Sequence, residues 1–313
     1  MVNKIVTRIL IMDPINPKAV EMLQDEGFEI TKPSDMTSDE LINKIGYYDA
    51  LIVRSRTKVT KEIIEAGKDR LKVIGRAGVG LDNIDQKTAE KYNIKVIRSP
   101  KGSSVSVAEL IMGLILSLMR SIPAGNRGLK DNKWIKKQIK GFELRGKTIG
   151  VIGCGNVGIE LAKRALAFEM KVLGCDVVES AIKDAEELGF TCVPLEEIAK
   201  NSDIIAMCCP LNDRTRKMIN KEIFDLMKPK AFLINTARGD IVDEGALYQA
   251  LKNGKIAGAA LDAFLNEPNP DPKLVKLPNV VATPHIGAQT IEANEAVSTI
   301  LAEKIIRILK GKI

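Results

Sequence analysis

Short apolar runs rich in β-branched residues alternate with amphipathic stretches along nearly the whole chain. "RILIMD", "EITKP", "ALIVRS", "KVIGRAG" and "KVIRSP" predict a first set of strands, separated by helical patterns such as "NPKAVEMLQDEG" and "TKEIIEAG". Pro17 and Gly27 punctuate the first of these helices. A second set follows in "KTIGVIGCG", "KVLGCD", "DIIAMCC", "AFLINTA", "AGAALDA" and "NVVATPH". Strands that are apolar nearly throughout, each followed by a helix, predict parallel sheets covered on both faces. The fold class is therefore α/β with two doubly wound parallel sheets.

Between the two sets lie the long apolar helix "SVSVAELIMGLILSLMRSI" and the polar segment "KDNKWIKKQIKGFELRG", and the helix "TIEANEAVSTILAEKIIRILKG" ends the chain. No strand follows that last helix, which is expected to return to the first set. The expected division is a smaller substrate domain at 1–100 and 288–313, with a Rossmann domain at 101–287 inserted into it. The chain would then cross twice between domains, near Lys101 and Ala288, and leave a cleft at the strand ends.

Length agrees with two domains: 313 residues exceed one ordinary core and suit two of roughly 100–200 residues each. A 45% hydrophobic fraction excludes a disordered chain. The net charge of +7 comes from 47 Lys+Arg against 40 Asp+Glu. The basic residues are spread out, without a dense block interleaved with aromatics, so an anionic small molecule explains the surplus as well as nucleic acid does. Five cysteines, an odd number without a C-x-x-C pair, point to a reduced, cytoplasmic setting and give no metal-ligand pattern. Vicinal Cys208 and Cys209 read as small hydrophobes. The N-terminal run is broken by Lys4 and Arg8, which suits a strand better than a signal peptide, and "LIMGLILSLM" is about half a membrane span.

Chemistry concentrates in "TIGVIGCGNVGIELAKRALAFEMKVLGCD". A strand enters Gly153-x-Gly155-x-x-Gly158, a helix follows, and a second strand ends in Asp176. The first glycine permits a tight turn, the second lets backbone approach a pyrophosphate, and the third lets helix pack on strand. Asp176 stands where a carboxylate accepts hydrogen bonds from the adenosine ribose. A glycine-rich connection in an ordinary sheet is the bland alternative, but strand, helix, strand and terminal acid together favour a dinucleotide. No cation follows Asp176 to hold a ribose 2′-phosphate, which the carboxylate would repel by roughly 1–4 kcal/mol at an effective dielectric of 80 to 20. NAD is expected over NADP.

Hydride transfer also needs an acid/base, a partner that tunes it, and a cation for the substrate carboxylate. His285, the only histidine in the chain, Glu267 in "DAFLNEPNP" and Arg238 in "NTARGDIVDEGAL" each lie just past an apolar run. Singly, such a histidine is as readily a surface or capping residue, and such an arginine a structural ion pair.

"VIGCGNVG", "NTARGDIVDEGAL", "GAALDAFLNEP" and "TPHIGAQT" resemble the signature blocks of the D-isomer-specific 2-hydroxyacid dehydrogenases. "ALIVRSRTKVT", "VIGRAGVGLDNID", "VIRSPKGSSVSVAEL" and "KDNKWIKKQIKGFELRGKTIGVIG" resemble the branch of that family that oxidises a phosphorylated substrate. The resemblance runs in order along nearly the whole chain. It implies a flavodoxin-like substrate domain, a cytoplasmic homodimer, and NAD-dependent oxidation of a small phosphorylated 2-hydroxy acid. His285 would be the general acid/base, Glu267 its partner, and Arg238 the residue that grips the substrate carboxylate. Besides the glycine loop and Asp176, the NAD site would include Val79, Asn156, Val157, Cys209, Pro210 and Thr215. Thr236, Ala237, Asp262, Gly287 and Ala288, with Arg238 and His285, would complete it. The substrate would meet Val79 and Gly80, its phosphate Arg54, Ser55 and Arg76, and Lys136 would reach the site from the partner subunit. The family often has Arg where this chain has Lys136, and longer members carry serine-binding regulatory domains. This chain stops after its last helix, so feedback through such a domain is expected to be absent.

Two other readings remain open on the sequence. A sister dehydrogenase acting on glycerate/hydroxypyruvate, glyoxylate or D-lactate would lack the two-arginine phosphate site. A corepressor-like protein that senses NAD(H) would bind the dinucleotide on the same scaffold without needing turnover.

Overall fold

A computed structural model describes residues 6–312, which form two compact units. One contains the residues up to Ser103 together with those from Gln289 onward; the other spans Ser104–Ala288.

The first unit is built on strands β1 (Arg8–Ile11), β2 (Glu29–Thr31), β3 (Ala50–Val53), β4 (Val73–Arg76) and β5 (Lys95–Arg98). All pair in parallel in the order β2-β1-β3-β4-β5, a flavodoxin-like arrangement. Alternation along the strands divides the core in two. Ile9, Ile11, Ala50 and Ile52 pack on one face with Ala19, Val20 and Leu23 and with Leu301, Ala302 and Ile305 of the last helix, Ile291–Leu309. Leu10, Leu51, Val53 and Ile74 pack on the other, against Leu41, Ile45, Ile63 and Ile64. Burying each such Ile, Leu or Val side chain stabilises the fold by about 1.5–3 kcal/mol.

The second unit contains β6 (Thr148–Ile152), β7 (Lys171–Cys175), β8 (Thr191–Cys192), β9 (Ile204–Met207), β10 (Phe232–Asn235), β11 (Gly258–Leu261) and β12 (Val280–Ala282). Their order, β12-β11-β10-β9-β6-β7-β8, is the Rossmann order with one further strand. β9, β10 and β11 are buried throughout, as strands covered on both faces must be. Val151, Ala206 and Ile234 face one layer; Ile152, Ile205 and Leu233 face the other.

The helical stretch Pro100–Met119 is long and apolar enough, by length and composition, to cross a membrane. Half of it is buried in the protein, where Ile111, Met112, Ile115 and Met119 join the core cluster of the helix Asn156–Ala167. The polar segment after it forms only a 3-10 turn, Lys136–Gln138, after the helix Ile122–Lys130.

Candidate active site

β6 runs into the glycine turn, and the helix Asn156–Ala167 follows. Gly153 adopts φ +100°, and a Cβ there would stand 2.6 Å from the Cys208 carbonyl carbon and the Cys209 nitrogen. The turn therefore lies on the chain leaving β9, where the strand order reverses. A Cβ at Gly158 would collide with the Gly153 carbonyl oxygen, whereas one at Gly155 would meet nothing within 4 Å. Gly155 is also the N-cap and, having no side chain, offers the first amides of the helix no side-chain cap. An uncapped helix N-terminus beside open space suits an anionic pyrophosphate. Thr236 adds a buried hydroxyl with no hydrogen-bond partner among the described residues. These features fit a dinucleotide.

Asp176 follows β7 and ties this turn together. Its Oδ2 accepts from Cys154 N at 2.7 Å, and its Oδ1 accepts from Val177 N at 2.7 Å and Val178 N at 2.9 Å. A carboxylate has about four acceptor positions, so capacity remains for ribose hydroxyls. Asp176→Ala is expected to weaken NAD binding and to narrow the preference for NAD over NADP, which titration with both dinucleotides measures. A wild type that prefers NADP contradicts this. Beyond β9, Thr215 Oγ1 donates to the Pro210 carbonyl at 2.7 Å and closes the turn after Cys209. Burial, first of all, pushes the Cys154 thiol up to about 12, so it stays protonated beside the glycine loop at neutral pH.

β11 leads to Asp262 and Glu267, and β12 to His285. His285 Nδ1 and Glu267 Oε2 are 2.8 Å apart, and Glu267 Oε1 accepts from Phe264 N at 3.0 Å. With Nδ1 engaged by Glu267, Nε2 is the ring nitrogen that this bond leaves open. His285 has a left-handed backbone, φ 53°. Asp262, fully buried, sustains that turn. Its Oδ1 accepts from Thr283 Oγ1 at 2.6 Å and Ile286 N at 2.8 Å, and its Oδ2 accepts from Gly287 N at 2.8 Å. The residue expected beside the dinucleotide thus also clamps the histidine loop.

Arg238 follows β10 on a turn tied by Asn235, whose Nδ2 donates to the Arg238 carbonyl at 2.9 Å and whose Oδ1 accepts from Ala237 N at 3.1 Å. Arg238 Nη1 donates to the Ala237 carbonyl at 2.7 Å. The second unit therefore brings the glycine loop, Asp176, Cys209, Thr236, Arg238, Asp262, Glu267 and His285 to the carboxyl ends of its strands. Lys136 stands apart, exposed in its 3-10 turn.

The first unit gathers its candidates at the same edge of its own sheet. Arg54 follows β3 and Arg76 ends β4, and Val53 is paired with Arg76 in the ladder. Buried Asp13, just past β1, accepts from Arg54 N at 2.6 Å, Thr57 N at 3.2 Å, Thr57 Oγ1 at 2.9 Å and Arg56 Nε at 3.0 Å. Burial raises the Asp13 carboxyl, but those hydrogen bonds outweigh it and hold it below its ordinary range. The clamp therefore contributes stability above that range and loses it only as pH falls through the depressed value. Asn83 Nδ2 donates to the carbonyls of Arg54 at 2.7 Å and Thr57 at 2.6 Å. Ser55, between them, is exposed. The Arg76 guanidinium lies over Gly78. β5 holds the adjoining Gly78–Gly80 turn: Ser99 N donates to Gly78 O at 3.0 Å and Arg98 Nη1 to Val79 O at 3.0 Å.

Asp13, Asn83, Arg98 and Asn235 are absent from the sequence-derived set. Asp13 and Arg98 carried a usable signal, since each stands at a strand end, as Asp176 and Arg76 do. Asn83 and Asn235 carried none beyond ordinary turn composition.

Residues 112–287 match the model of the D-isomer specific 2-hydroxyacid dehydrogenase NAD binding domain. The chain is 46% identical over 308 residues to D-3-phosphoglycerate dehydrogenase of Methanocaldococcus jannaschii, covering 98% of this chain and 58% of that protein. It thus spans little more than half the length of that relative. It is 47% identical over 304 residues to hydroxypyruvate reductase of Thermotoga maritima, covering 96% of this chain and 97% of that protein. The structure of D-lactate dehydrogenase from Aquifex aeolicus, complexed with NAD and lactic acid, superposes with a TM-score of 0.84 at 31% identity, over 97% of this chain and 96% of that one. A glycine loop that fits a dinucleotide, an Arg/Glu/His set on the same sheet edge and these likenesses agree: the chain belongs to the D-isomer-specific 2-hydroxyacid dehydrogenases.

Proposed function

We propose that the protein catalyses NAD-dependent oxidation of 3-phospho-D-glycerate to 3-phosphohydroxypyruvate, the entry step of serine synthesis, as a cytoplasmic homodimer. The observation that carries the choice of substrate is the pair Arg54 and Arg76 on the ends of adjacent strands, with the Arg54 loop clamped by Asp13. Guanidinium forks donate paired hydrogen bonds to phosphate oxygens and stay charged at every relevant pH. In this reading the unit around β1–β5 serves the substrate, and Lys136 contributes from the partner subunit.

NAD, when bound, supplies the hydride acceptor. His285 Nε2 takes the proton of the substrate hydroxyl, and Glu267 holds Nδ1–H and stabilises the imidazolium that results. Arg238 holds the substrate carboxylate and so fixes the reacting carbon. The Asp262 clamp keeps His285 in place while its charge changes.

Glu267→Gln is expected to keep partial activity and to move the acid limb of kcat/KM to lower pH, because the imidazolium loses its charged partner. A limb that does not move counts against the pairing.

A second reading has its own support. The hydroxypyruvate reductase of Thermotoga maritima matches at 47% identity over 97% of its length. The test is NADH absorbance when NAD is offered with 3-phosphoglycerate, glycerate or D-lactate. Turnover on the phosphorylated acid supports the proposal, and turnover confined to the other two supports a sister enzyme. NAD binding without turnover on any of them leaves a corepressor-like binding protein.

A further inference from the structure

Glu267 sits on a turn with little burial of its own: residues 265–269 are all exposed. Something other than packing must therefore set its shape. Glu267 Oε1 takes the Phe264 amide, which leaves the next amide, Leu265 N, to another acceptor. That acceptor is Glu244 Oε1, at 2.7 Å. Glu244 is the first residue of the helix Glu244–Lys252, whose start is fixed by Asp243 accepting from Ala246 N. The same Phe264–Leu265 peptide lies directly against Gly239, where any Cβ would strike its carbonyl carbon, oxygen and nitrogen. Gly239 follows Arg238. The segment that carries Arg238 therefore meets the turn that carries Glu267 at two points, a backbone contact at Gly239 and a charge-assisted hydrogen bond from Leu265 to Glu244.

We infer that Glu244 is a positioning residue: by accepting from Leu265 N it holds the Phe264–Glu267 turn in the shape that aims the Glu267 carboxylate at His285 Nδ1. It acts through Glu267. The inference rests on the His285–Glu267 reading above. The charged groups facing Glu244 are Asp240, from the 3-10 turn Gly239–Ile241, and Asp271, from the cap of the helix Pro272–Val275. Burial above all, then these two carboxylates, push the Glu244 carboxyl above its ordinary range, against the bond from Leu265.

The test compares full pH profiles of kcat/KM for wild type, Glu244→Ala, Glu244→Gln and Glu267→Gln, with KM for NAD measured alongside. Glu244→Ala is expected to lower kcat roughly ten- to hundredfold, the scale of loss when a catalytic group is displaced by about 1 Å. KM for NAD should stay near wild type, and the acid limb should shift to lower pH as in Glu267→Gln. Glu244→Gln, whose amide oxygen still accepts from Leu265 N, should restore most of kcat and the wild-type limb. If Glu244→Ala does not fold, Glu244→Met, which keeps the length without an acceptor, takes its place with the same expected shift. A folded Glu244→Ala with a lowered Tm but unmoved limb and kcat, beside a Glu267→Gln that does shift, overturns the inference alone. An unmoved limb in Glu267→Gln as well overturns the pairing and the inference with it.

Discussion

His285→Asn should retain NADH binding near the wild-type level and lose roughly 10²–10⁴-fold in turnover, the usual contribution of a general acid/base. Asparagine is the informative replacement because His285 has φ 53°, a left-handed conformation that asparagine adopts more readily than most residues. The Asp262 clamp reaches the loop through Thr283 and the amides of Ile286 and Gly287, none of which depends on the imidazole. The loop therefore keeps its shape, and the loss reports proton exchange alone. NADH titration and steady-state kinetics on the purified, folded variant check this. Unchanged turnover removes His285 from the chemistry.

Arg76→Ala should lose roughly 2–4 kcal/mol of binding to 3-phosphoglycerate, from charge-assisted hydrogen bonds of about 1.5–3 kcal/mol each. Activity on unphosphorylated glycerate should hardly change, because the Gly78–Gly80 turn beneath the guanidinium keeps its bonds from Ser99 N and Arg98. Arg54→Ala should behave alike, since Asp13 holds the backbone of that loop and not the Arg54 guanidinium. The check is kcat/KM for both substrates in all three proteins. Equal losses on both substrates contradict the phosphate role and leave only the broader family.

The parallel strands were legible because strands buried on both faces must be apolar throughout, as β3, β9 and β11 are. β8 was not: two residues, paired through Leu173↔Thr191 and Gly174↔Cys192, are too short for any periodicity. The same division runs through the site. Gly153, Asp176, Arg238 and His285 sit at strand ends, where an apolar run stops at a residue that the run itself does not explain. Glu244, Asn235 and Asn83 act by bonding backbone, and in sequence such residues look like caps and turn formers. Asp262 could be named as a candidate from the sequence, but its hold on the histidine loop depends on hydrogen bonds to Thr283 and Gly287, 21 and 25 residues away. No local pattern encodes that.

The proposed function selects the 2-hydroxy acid by its phosphate. Its most direct test is the wild-type ratio of kcat/KM for 3-phosphoglycerate to that for glycerate, with NAD as acceptor. Two arginines contributing about 1.5–3 kcal/mol each predict a ratio of at least about a hundred. A ratio at or below one contradicts the assignment.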